Sequence, residues 1–378
     1  MTTRPRLRHA AAALLALGLL AGAAPAERPL HVYFIDVMGG AATLVVTPER
    51  ESILIDSGWP GENDRDPKRI IHVLKDVAGL DHLDHLVTTH WHTDHYGGLA
   101  GLVKRVRIDH YWDRGLPDLS AADGDKTEYP DGPPADDPLA IVYRKESAGK
   151  RKPLKAGDRL PLKGDIEAVV LAAGGRVIGT PSGRRGPNRN LAAVRTAGGR
   201  VIGTPSSPAN PACSASPADL ATDPSDNGRS ITLRFRYKGF TFLDCGDLTW
   251  NIEKQLVCPV DKIGRVHLYQ VTHHGLAISN HPTLLETIAP TVTVMNNGPR
   301  KGGDAAAVKR LRTVPSIAAA YQLHKNAATD AADNTEAALI ANPNPEGGQF
   351  IHAEVAPDGT SFTVQIGTDG PCRKFAVH

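Results

Sequence analysis

The chain has 378 residues, of which 41% are hydrophobic and 22% are charged, so it can bury a sizeable core and form one large domain or two. Its formal net charge of +2 excludes the broad positive field of a dedicated nucleic-acid-binding protein. A nucleic acid is therefore expected only as a locally held substrate.

The first 26 residues have the composition of a secretory signal peptide. Three arginines precede a short run of alanine and leucine, and Ala24-Pro25-Ala26 supplies small residues for cleavage. The run is too short and too rich in alanine and glycine to be a good membrane span. We therefore expect a periplasmic or secreted protein with no membrane span after cleavage. In an oxidising compartment its four cysteines can pair in three ways, and the sequence does not choose among them.

Short apolar runs bounded by glycine and charged residues predict strands, and apolar residues at helical spacing predict helices between them. In chain order the predicted strands are LHVYFIDV, AATLVVT, SILID, LDHLVTT, RIDHYW, IEAVVLA, SITLRFRY, FTFLDCGD, VHLYQVTHH and PTVTVMNNG. Near the start, DPKRIIHVLKDV and GGLAGLVKRV are predicted helices. Because strands and helices interleave throughout, the predicted class is α/β with mixed sheets.

The region from about residue 117 to 227 is rich in glycine, proline, alanine, serine and aspartate. It contains the decapeptide AGGRVIGTPS twice, at Ala173–Ser182 and Ala197–Ser206. Two copies are too few for a solenoid, which needs three or more repeats to bury a core. We therefore predict a flexible, exposed insert that contains a tandem duplication.

The stretch HWHTDH places His90, His92, Asp94 and His95 within six positions, where a predicted strand ends and a predicted helix begins. Imidazole and carboxylate are the ligands that zinc prefers when thiolates are absent. Four such groups exceed what one open catalytic metal needs. We predict two metals, with His90 and His92 on one and Asp94 and His95 on the other. The alternative is a polar loop in which the histidines occur by chance.

Two later motifs also follow predicted strands. FTFLDCGD ends in Asp247, and LYQVTHHG contains His273 and His274. Carboxylates and imidazoles at strand ends, where loops gather, are typical of sites in α/β proteins. A strand that ends in Gly-Asp is weak evidence alone and a histidine pair is moderately informative, but all three motifs in this order are highly specific.

With these motifs the chain resembles the metallo-β-lactamase superfamily of binuclear hydrolases. More narrowly, it looks like the ComEC-like branch, which contains the hydrolase domain of the competence DNA-uptake protein, and it is similar to secreted phosphorylcholine esterases. The resemblance rests on FIDV, ILIDSG, HWHTDH, SITLRF, LDCGD and VTHHG. It implies an αββα sandwich, as a single domain over residues 27–378, with the metals at one edge of the two sheets.

The resemblance also implies roles for individual residues. Asp247 would bridge two divalent metal ions, His274 would bind the second ion, and His273 would face the substrate. Asp56 in ILIDSG would support the ligands from behind. Zinc suits these ligands best, with manganese or iron as alternatives, and Asp94 and His273 are the predicted catalytic residues.

The sequence departs from the superfamily pattern at one ligand. Superfamily members usually have a further histidine between the first motif and the bridging aspartate, and none lies between His110 and Asp247 here. The ComEC-like branch also lacks it and carries an asparagine-containing loop, which SDNGRS resembles. Asn227 or Asp226 therefore either faces the first metal, directly or through water, or caps a turn.

A basic loop follows the predicted strand that ends near Met295. Arg300 and Lys301 could hold a phosphate, since cationic side chains and free backbone N–H groups suit its oxygens. The alternative is a solvated basic turn. His324 ends another predicted strand and is a weak candidate, because a lone histidine is more often structural.

These features predict a secreted, binuclear, metal-dependent hydrolase of a phosphodiester in a small molecule or polymer. Two adjacent cations lower the pKa of a shared water, so a metal-bridging hydroxide would attack the ester. His273 would stabilise the new charge or protonate the leaving group. The alternatives are a lactone, lactam or other carboxyl-ester hydrolase, which the missing histidine disfavours, and a non-catalytic secreted metal-binding protein.

Overall fold

The computed structural model describes residues 27–116, 131–134, 136–179 and 208–378. The predicted signal peptide lies outside these residues. The strands, in chain order, are β1 (Leu30–Phe34), β2 (Thr43–Val46), β3 (Ser52–Ile55), β4 (His82–Val87), β5 (Arg107–Asp113), β6 (Arg151–Pro153), β7 (Ile166–Ala173), β8 (Arg176–Val177), β9 (Thr232–Tyr237), β10 (Phe240–Asp244), β11 (Leu268–Gln270), β12 (Val292–Met295), β13 (Ala319–His324), β14 (Ile340–Asn342), β15 (Ile351–Val355), β16 (Ser361–Ile366) and β17 (Cys372–Ala376).

The helices connect these strands along the outer faces of the sheets. They are α1 (Arg65–Ile71), α2 (Thr93–Tyr96), α3 (Leu99–Leu102), α4 (Pro138–Ser147), α5 (Trp250–Val257), α6 (Pro282–Ile288) and α7 (Ala305–Arg312). Helix α1 continues as a wider π-helical turn over His72–Val77, so the predicted helix DPKRIIHVLKDV is confirmed. The predicted helix GGLAGLVKRV forms only the short α3.

The described strands form two sheets. The first has nine strands in the order β17-β16-β15-β1-β2-β3-β4-β5-β6, and the second has eight in the order β14-β13-β12-β11-β10-β9-β7-β8. Strands β3 to β6 pair in parallel, and so do β10 to β14, while the remaining pairs are antiparallel. The predicted mixed α/β class is thus confirmed.

The chain folds into four layers. One apolar cluster joins the facing sides of the two sheets and includes Phe34, Val170 and Phe242. A second cluster packs α1, α3 and α4 on the outer face of the nine-stranded sheet, and a third packs α5, α6 and α7 on the outer face of the other sheet. This αββα arrangement brings the carboxyl ends of the parallel strands, and the loops that follow them, to one edge of the sandwich.

The predicted flexible insert is wrong for its central part. Helix α4 and strands β6, β7 and β8 lie within it, and β7 pairs with β9 over most of its length. The residues from Ala168 to Ala172 are fully buried. In the described part of this region, glycine and proline therefore lie in turns between core elements. This agrees with the predicted strand IEAVVLA. The stretches 117–130 and 180–207 lie outside the described residues.

The first copy of the repeated decapeptide is also part of the fold. Its Ala173 ends β7, Gly174 and Gly175 form a turn with positive φ angles of 59° and 71°, and Arg176 and Val177 form β8 at the sheet edge. Val177 is buried. This copy is therefore only partly exposed, at Gly175, Arg176 and Gly179, while its last three residues and the second copy lie outside the described residues.

A disulfide joins Cys213 to Cys258, so one pair forms rather than the two that complete pairing of the four cysteines would give. Cys245 is free and buried, and Cys372 is free and exposed. In the part of the chain that the structure describes, no helix is both long enough and apolar enough to cross a membrane.

Candidate metal centre

The first ligand motif lies in the loop between β4 and α2. His90 and His92 precede the helix, and Asp94 and His95 lie within it. His90, Asp94 and His95 are buried, whereas His92 is half-buried. The His90 ring lies 4.6 Å from the His92 ring and 4.1 Å from the His95 ring, between centroids. The structure therefore brings the four predicted side chains together.

Asp247 lies between the two predicted groups of ligands. Its Oδ2 is 3.2 Å from His95 Nε2 and 3.3 Å from His274 Nε2. The same oxygen is 3.9 Å from His90 Nε2. Asp247 reaches this position because Gly246 turns the chain with a φ of 54°, where an added Cβ would come within 3.2 Å of neighbouring side chains.

Among the described groups of side chains that could hold a metal ion, two include Asp247. One contains Asp94, His95, Asp247 and His274, and the other contains His90, His92 and Asp247. This is the division that the sequence predicts. The sets combine imidazole nitrogen and carboxylate oxygen without thiolate, as zinc sites of hydrolases do.

His273 and His274 both face Asp247, although they are adjacent in sequence. Their φ angles are 56° and 52°, so the chain makes a left-handed turn rather than an extended strand, and the alternation of side chains along a strand does not apply. His274 Nε2 lies 3.1 Å from Asp94 Oδ2. His273 Nε2 lies 3.5 Å from Asp247 Oδ2 and is not part of either ligand set.

The protonation of the cluster fits a cation at its centre. Burial lowers the pKa of His95, but the carboxylates of Asp247, Asp94 and Asp56 more than offset this and raise it well above its usual value. These carboxylates thus favour a positive charge beside His95, and a bound divalent ion would supply such a charge. Within the described residues, the buried His90 Nε2 has no hydrogen-bond partner. That free position suits a metal.

Asp56 supports the site from behind, as predicted from ILIDSG. Its Oδ2 accepts hydrogen bonds of 2.7 Å from His95 Nδ1 and from Thr89 Oγ1, and its Oδ1 accepts one of 2.8 Å from Thr89 N. A carboxylate on Nδ1 fixes the imidazole so that Nε2 points towards the metal position.

Asp226 does not face the metal position. Its Oδ2 accepts a hydrogen bond from Trp91 N, and both of its oxygens accept hydrogen bonds from the Arg114 guanidinium. Both oxygens are thus engaged by the buried arginine and the Trp91 backbone, and Asp226 belongs to neither ligand set. Of the two alternatives for Asp226, these contacts favour a structural role over contact with the metal.

Asn227 lies at the site, next to His273. Its Nδ2 is 3.4 Å from His273 Nε2. Its buried Oδ1 has no hydrogen-bond partner among the described residues. An unpaired buried amide oxygen is costly unless something binds to it, so Asn227 stays a candidate for contact with the metal or the substrate.

Lys301 reaches the centre from the loop after β12. Its Nζ contacts Asp94 Oδ2 and lies 4.8 Å from the centre of the Trp59 ring. Gly39 allows this approach, since a Cβ there would lie 3.0 Å from the Lys301 Cβ. Gly302 packs closely against the carbonyl of His274, because a Cβ added at Gly302 would lie 2.1 Å from His274 O. The loop is thus held in place by backbone contacts.

The other two weak candidates do not reach the centre. Arg300 is exposed. His324 is buried, and its Nε2 donates to Asp36 Oδ1 at 2.8 Å. Asp36 also forms an ion pair of 2.7 Å with Arg69. His324 therefore belongs to a buried structural network, as its alternative interpretation holds, and its candidacy as a site residue is wrong.

A cavity of about 390 Å³ opens beside the first motif, and Trp59, Trp91, His92, Asp94 and Tyr96 contribute to its walls. Asp131 also lines it and accepts a hydrogen bond of 2.8 Å from His92 Nε2. Neither Asp131 nor Arg114 could be identified as a neighbour of the site from the sequence, because both are distant from the motif in the chain and belong to no motif of their own.

Comparison with known proteins agrees with this geometry over the first part of the chain. Residues 35–202 match the model of the metallo-β-lactamase superfamily. This match confirms the superfamily resemblance for a segment that covers less than half of the chain and contains the HWHTDH motif. No curated protein matches the chain.

Several solved structures are similar at low identity. CmlA, a diiron β-hydroxylase from Streptomyces venezuelae, is 15% identical over 72% of this chain and 45% of its own, with a TM-score of 0.36. A protein described as a metal-dependent hydrolase, from Parabacteroides distasonis, is 12% identical over 78% and 92%, with a TM-score of 0.39. A diphosphatase of the PhnP family is 12% identical over 72% and 87%, with a TM-score of 0.33. The chain spans about half the length of the two CmlA structures that it matches.

Proposed function

We propose that this protein is a hydrolase that holds two divalent metal ions and cleaves phosphodiesters. The observation that carries the proposal is the position of Asp247, whose carboxylate belongs to both ligand sets. His90 and His92 would hold one ion, and Asp94, His95 and His274 would hold the other. Two such ions supply activation of water and neutralisation of the charge that develops on an ester.

The side chains around the ligands suit a phosphate. The ammonium of Lys301 lies beside Asp94, and the amide of Asn227 lies beside His273. A cation and an amide donor that contact different members of the cluster can bind separate oxygens of one phosphoryl group. Among the described residues, the set of His90, His92 and Asp247 contains no further histidine. A metal ion in that set would therefore stay open to an ester oxygen.

His273 is placed to move a proton. Its Nδ1 contacts Ser279 Oγ at 3.1 Å, which fixes the ring, and its Nε2 faces Asp247 and Asn227. Burial lowers its pKa, and the charge of Asp247 opposes this shift. A largely neutral imidazole next to the reacting ester can exchange a proton with the leaving oxygen.

The finer assignments belong to the same proposal. We place the protein in the ComEC-like branch and outside the cytoplasm, with zinc as its metal. The composition of residues 1–26 and the disulfide between Cys213 and Cys258 support an oxidising compartment. The competing function is hydrolysis of a lactone, lactam or other carboxyl ester by the same metals.

One comparison of substrates tests the proposal. Purified protein should contain close to two transition-metal ions per chain and hydrolyse bis-p-nitrophenyl phosphate faster than nitrocefin or an acyl lactone. Asp247→Asn should lose at least one ion and nearly all turnover. Asp219→Asn, at an exposed carboxylate paired with Lys254, is the matched control and should change neither. Preference for the lactone or nitrocefin would replace the phosphodiester proposal, and full metal content in Asp247→Asn would overturn the shared-ligand assignment.

A further inference from the structure

A cavity of about 580 Å³ lies on the Asn227 side of the metal centre. Its wall continues directly from residues of the centre. Gly228, which lines the cavity, follows Asn227, and Thr249, which also lines it, lies two residues after Asp247. The cavity therefore lies beside chain segments that carry residues of the metal centre.

A third wall segment reaches the cavity from His273. Ser279, whose hydroxyl contacts His273 Nδ1, is preceded by Ile278, and the Ile278 side chain lines the cavity. The volume lies in the range of sites that bind organic ligands, which is about 300–1,000 Å³. Three chain segments thus join the wall of the cavity to residues of the metal centre.

The cavity has an apolar side. Among the described residues, the large hydrophobic side chains that are exposed are Ile141, Leu220 and Ile278, at 50%, 44% and 44%. Two of these three line the cavity, together with Trp250. Apolar side chains that gather around a concave surface next to polar groups are typical of ligand-binding sites.

The cavity also has a basic side. Arg176 in β8 is exposed and lines it, and so does Arg229, whose Nη1 donates to Ser225 O at 3.2 Å. The acidic residue in the wall is Asp223, and its carboxylate accepts a hydrogen bond from Ser225 N. The exposed guanidinium of Arg176, beside a carboxylate that is already engaged, favours an anionic ligand group.

We propose that this cavity binds one organic arm of the ester substrate, and that this arm carries an apolar group with an anionic substituent. The proposal rests on the proposed function, because it places the phosphate at the metals. The apolar part would lie against Leu220, Ile278 and Trp250, and the anion would face Arg176. The substrate is then an asymmetric phosphate ester.

Binding of three phosphate monoesters to the metal-loaded protein tests this inference. Methyl phosphate, phenyl phosphate and 4-carboxyphenyl phosphate share one head group and differ only in the arm. Calorimetric titration should give phenyl phosphate a dissociation constant about tenfold below that of methyl phosphate, from burial of the ring. The added carboxylate should lower it about threefold further, as a partly exposed ion pair does.

Variants assign each gain to its side of the cavity. Ile278→Ser should remove most of the phenyl gain, Arg176→Ala should remove the carboxylate gain, and both should bind methyl phosphate as the parent protein does. Ile141→Ser, at the exposed apolar residue outside the cavity, is the matched control and should leave all three constants unchanged.

Equal affinities for the three monoesters would overturn the inference. It would also be overturned if Ile278→Ser weakened all three ligands equally, because that result would indicate a disturbed metal centre. The titration requires no turnover. If bis-p-nitrophenyl phosphate is not hydrolysed but the order of affinities holds, the proposed function fails and the cavity assignment stands. If bis-p-nitrophenyl phosphate is hydrolysed but the order of affinities does not hold, the cavity assignment fails and the proposed function stands.

Discussion

Asp226 accepts a hydrogen bond of 2.8 Å from the backbone nitrogen of Trp91, the residue between His90 and His92. The two residues are 135 positions apart. The bond therefore ties the backbone between His90 and His92 to the turn that contains Asp226 and precedes β9. Because Arg114 neutralises the same carboxylate, the position of the first ligand pair depends on a buried ion pair that contains no ligand.

Replacing Asp226 with asparagine should destabilise the fold and weaken metal binding. The change removes the charge of the buried carboxylate that pairs with the Arg114 guanidinium, and breaking a buried pair costs about 3 kcal/mol or more. Urea denaturation should show this loss, and competition with a chelator should show weaker retention of one ion. Asp219→Asn is again the control. Unchanged stability and unchanged metal retention would show that the loop is held by other contacts.

His273→Ala and His274→Ala should differ in metal content. His274 belongs to the ligand set with Asp94 and His95, so its loss should remove metal and activity together. His273 lies outside both sets, and its replacement should keep both ions but slow hydrolysis by roughly 10²- to 10⁴-fold, as loss of an acid–base group does.

The measurement is metal stoichiometry beside turnover of an activated phosphodiester. His72→Ala serves as the control, because His72 is an exposed histidine paired with Asp76. Metal loss in His273→Ala with metal retained in His274→Ala would reverse the two roles. Full turnover in both variants would mean that neither histidine takes part.

The ligand set could be predicted from sequence because its members follow strands whose ends meet at one edge. The apolar runs mark the strands, and the polar residues directly after them mark the edge. The Asp226–Arg114 pair could not be predicted, since nothing local links residues 112 positions apart. The sequence also left undecided whether the backbone turns at His273 or stays extended, because Gly275 permits a turn without requiring one.

Deletion of Ala173–Thr196 should leave the fold intact, for a reason that differs from the predicted exposure of the repeat. The deletion removes the first copy of AGGRVIGTPS but joins Ala172 to the second, identical copy at Ala197. The hairpin of β7 and β8 can then form from the same residue types. The melting temperature should change by less than about 2 °C.

Deletion of both copies, from Ala173 to Ser206, is the matched comparison. It removes β8 and the buried Val177, which packs with the helices of the eight-stranded sheet. The cost should be about 2 kcal/mol from lost burial alone. If the single deletion were as destabilising as the double deletion, the second copy could not replace the first.

Glu253→Gln should change how stability depends on pH. Glu253 is buried, and burial raises its pKa to about 7, although the backbone nitrogen of His281 donates to it. In the unfolded chain the pKa is the ordinary 4.5. The folded protein therefore binds a proton that the unfolded chain has released, and stability falls as pH rises from about 4.5 through 7.

The glutamine variant lacks this titration. Between pH 5 and pH 8 the parent protein should lose roughly 2–3 kcal/mol more than the variant, as measured by urea denaturation at each pH. Both proteins carry the same metal centre, so the pH dependence of metal binding cancels in the difference. Parallel curves for the two proteins would show that Glu253 keeps an ordinary pKa.

The extent of the insert was the main structural feature that composition misjudged. Glycine and proline are frequent between residues 117 and 227, yet β7 lies inside that range and pairs with β9 over most of its length. The apolar run IEAVVLA predicted this strand better than the composition did, because a core strand is defined by the residues that it buries and not by the turns on either side.

The disulfide between Cys213 and Cys258 closes a covalent ring with a sequence separation of 45 residues. Asp226, Asn227 and Asp247 all lie within that ring. Even when every strand has melted, these three side chains stay tethered within a short reach of one another, which lowers the entropy of the unfolded chain by an amount worth about 4 kcal/mol. Oxidation of two thiols, neither of which belongs to the candidate metal centre, thus keeps Asn227 and Asp247 near one another before the histidines of the centre return.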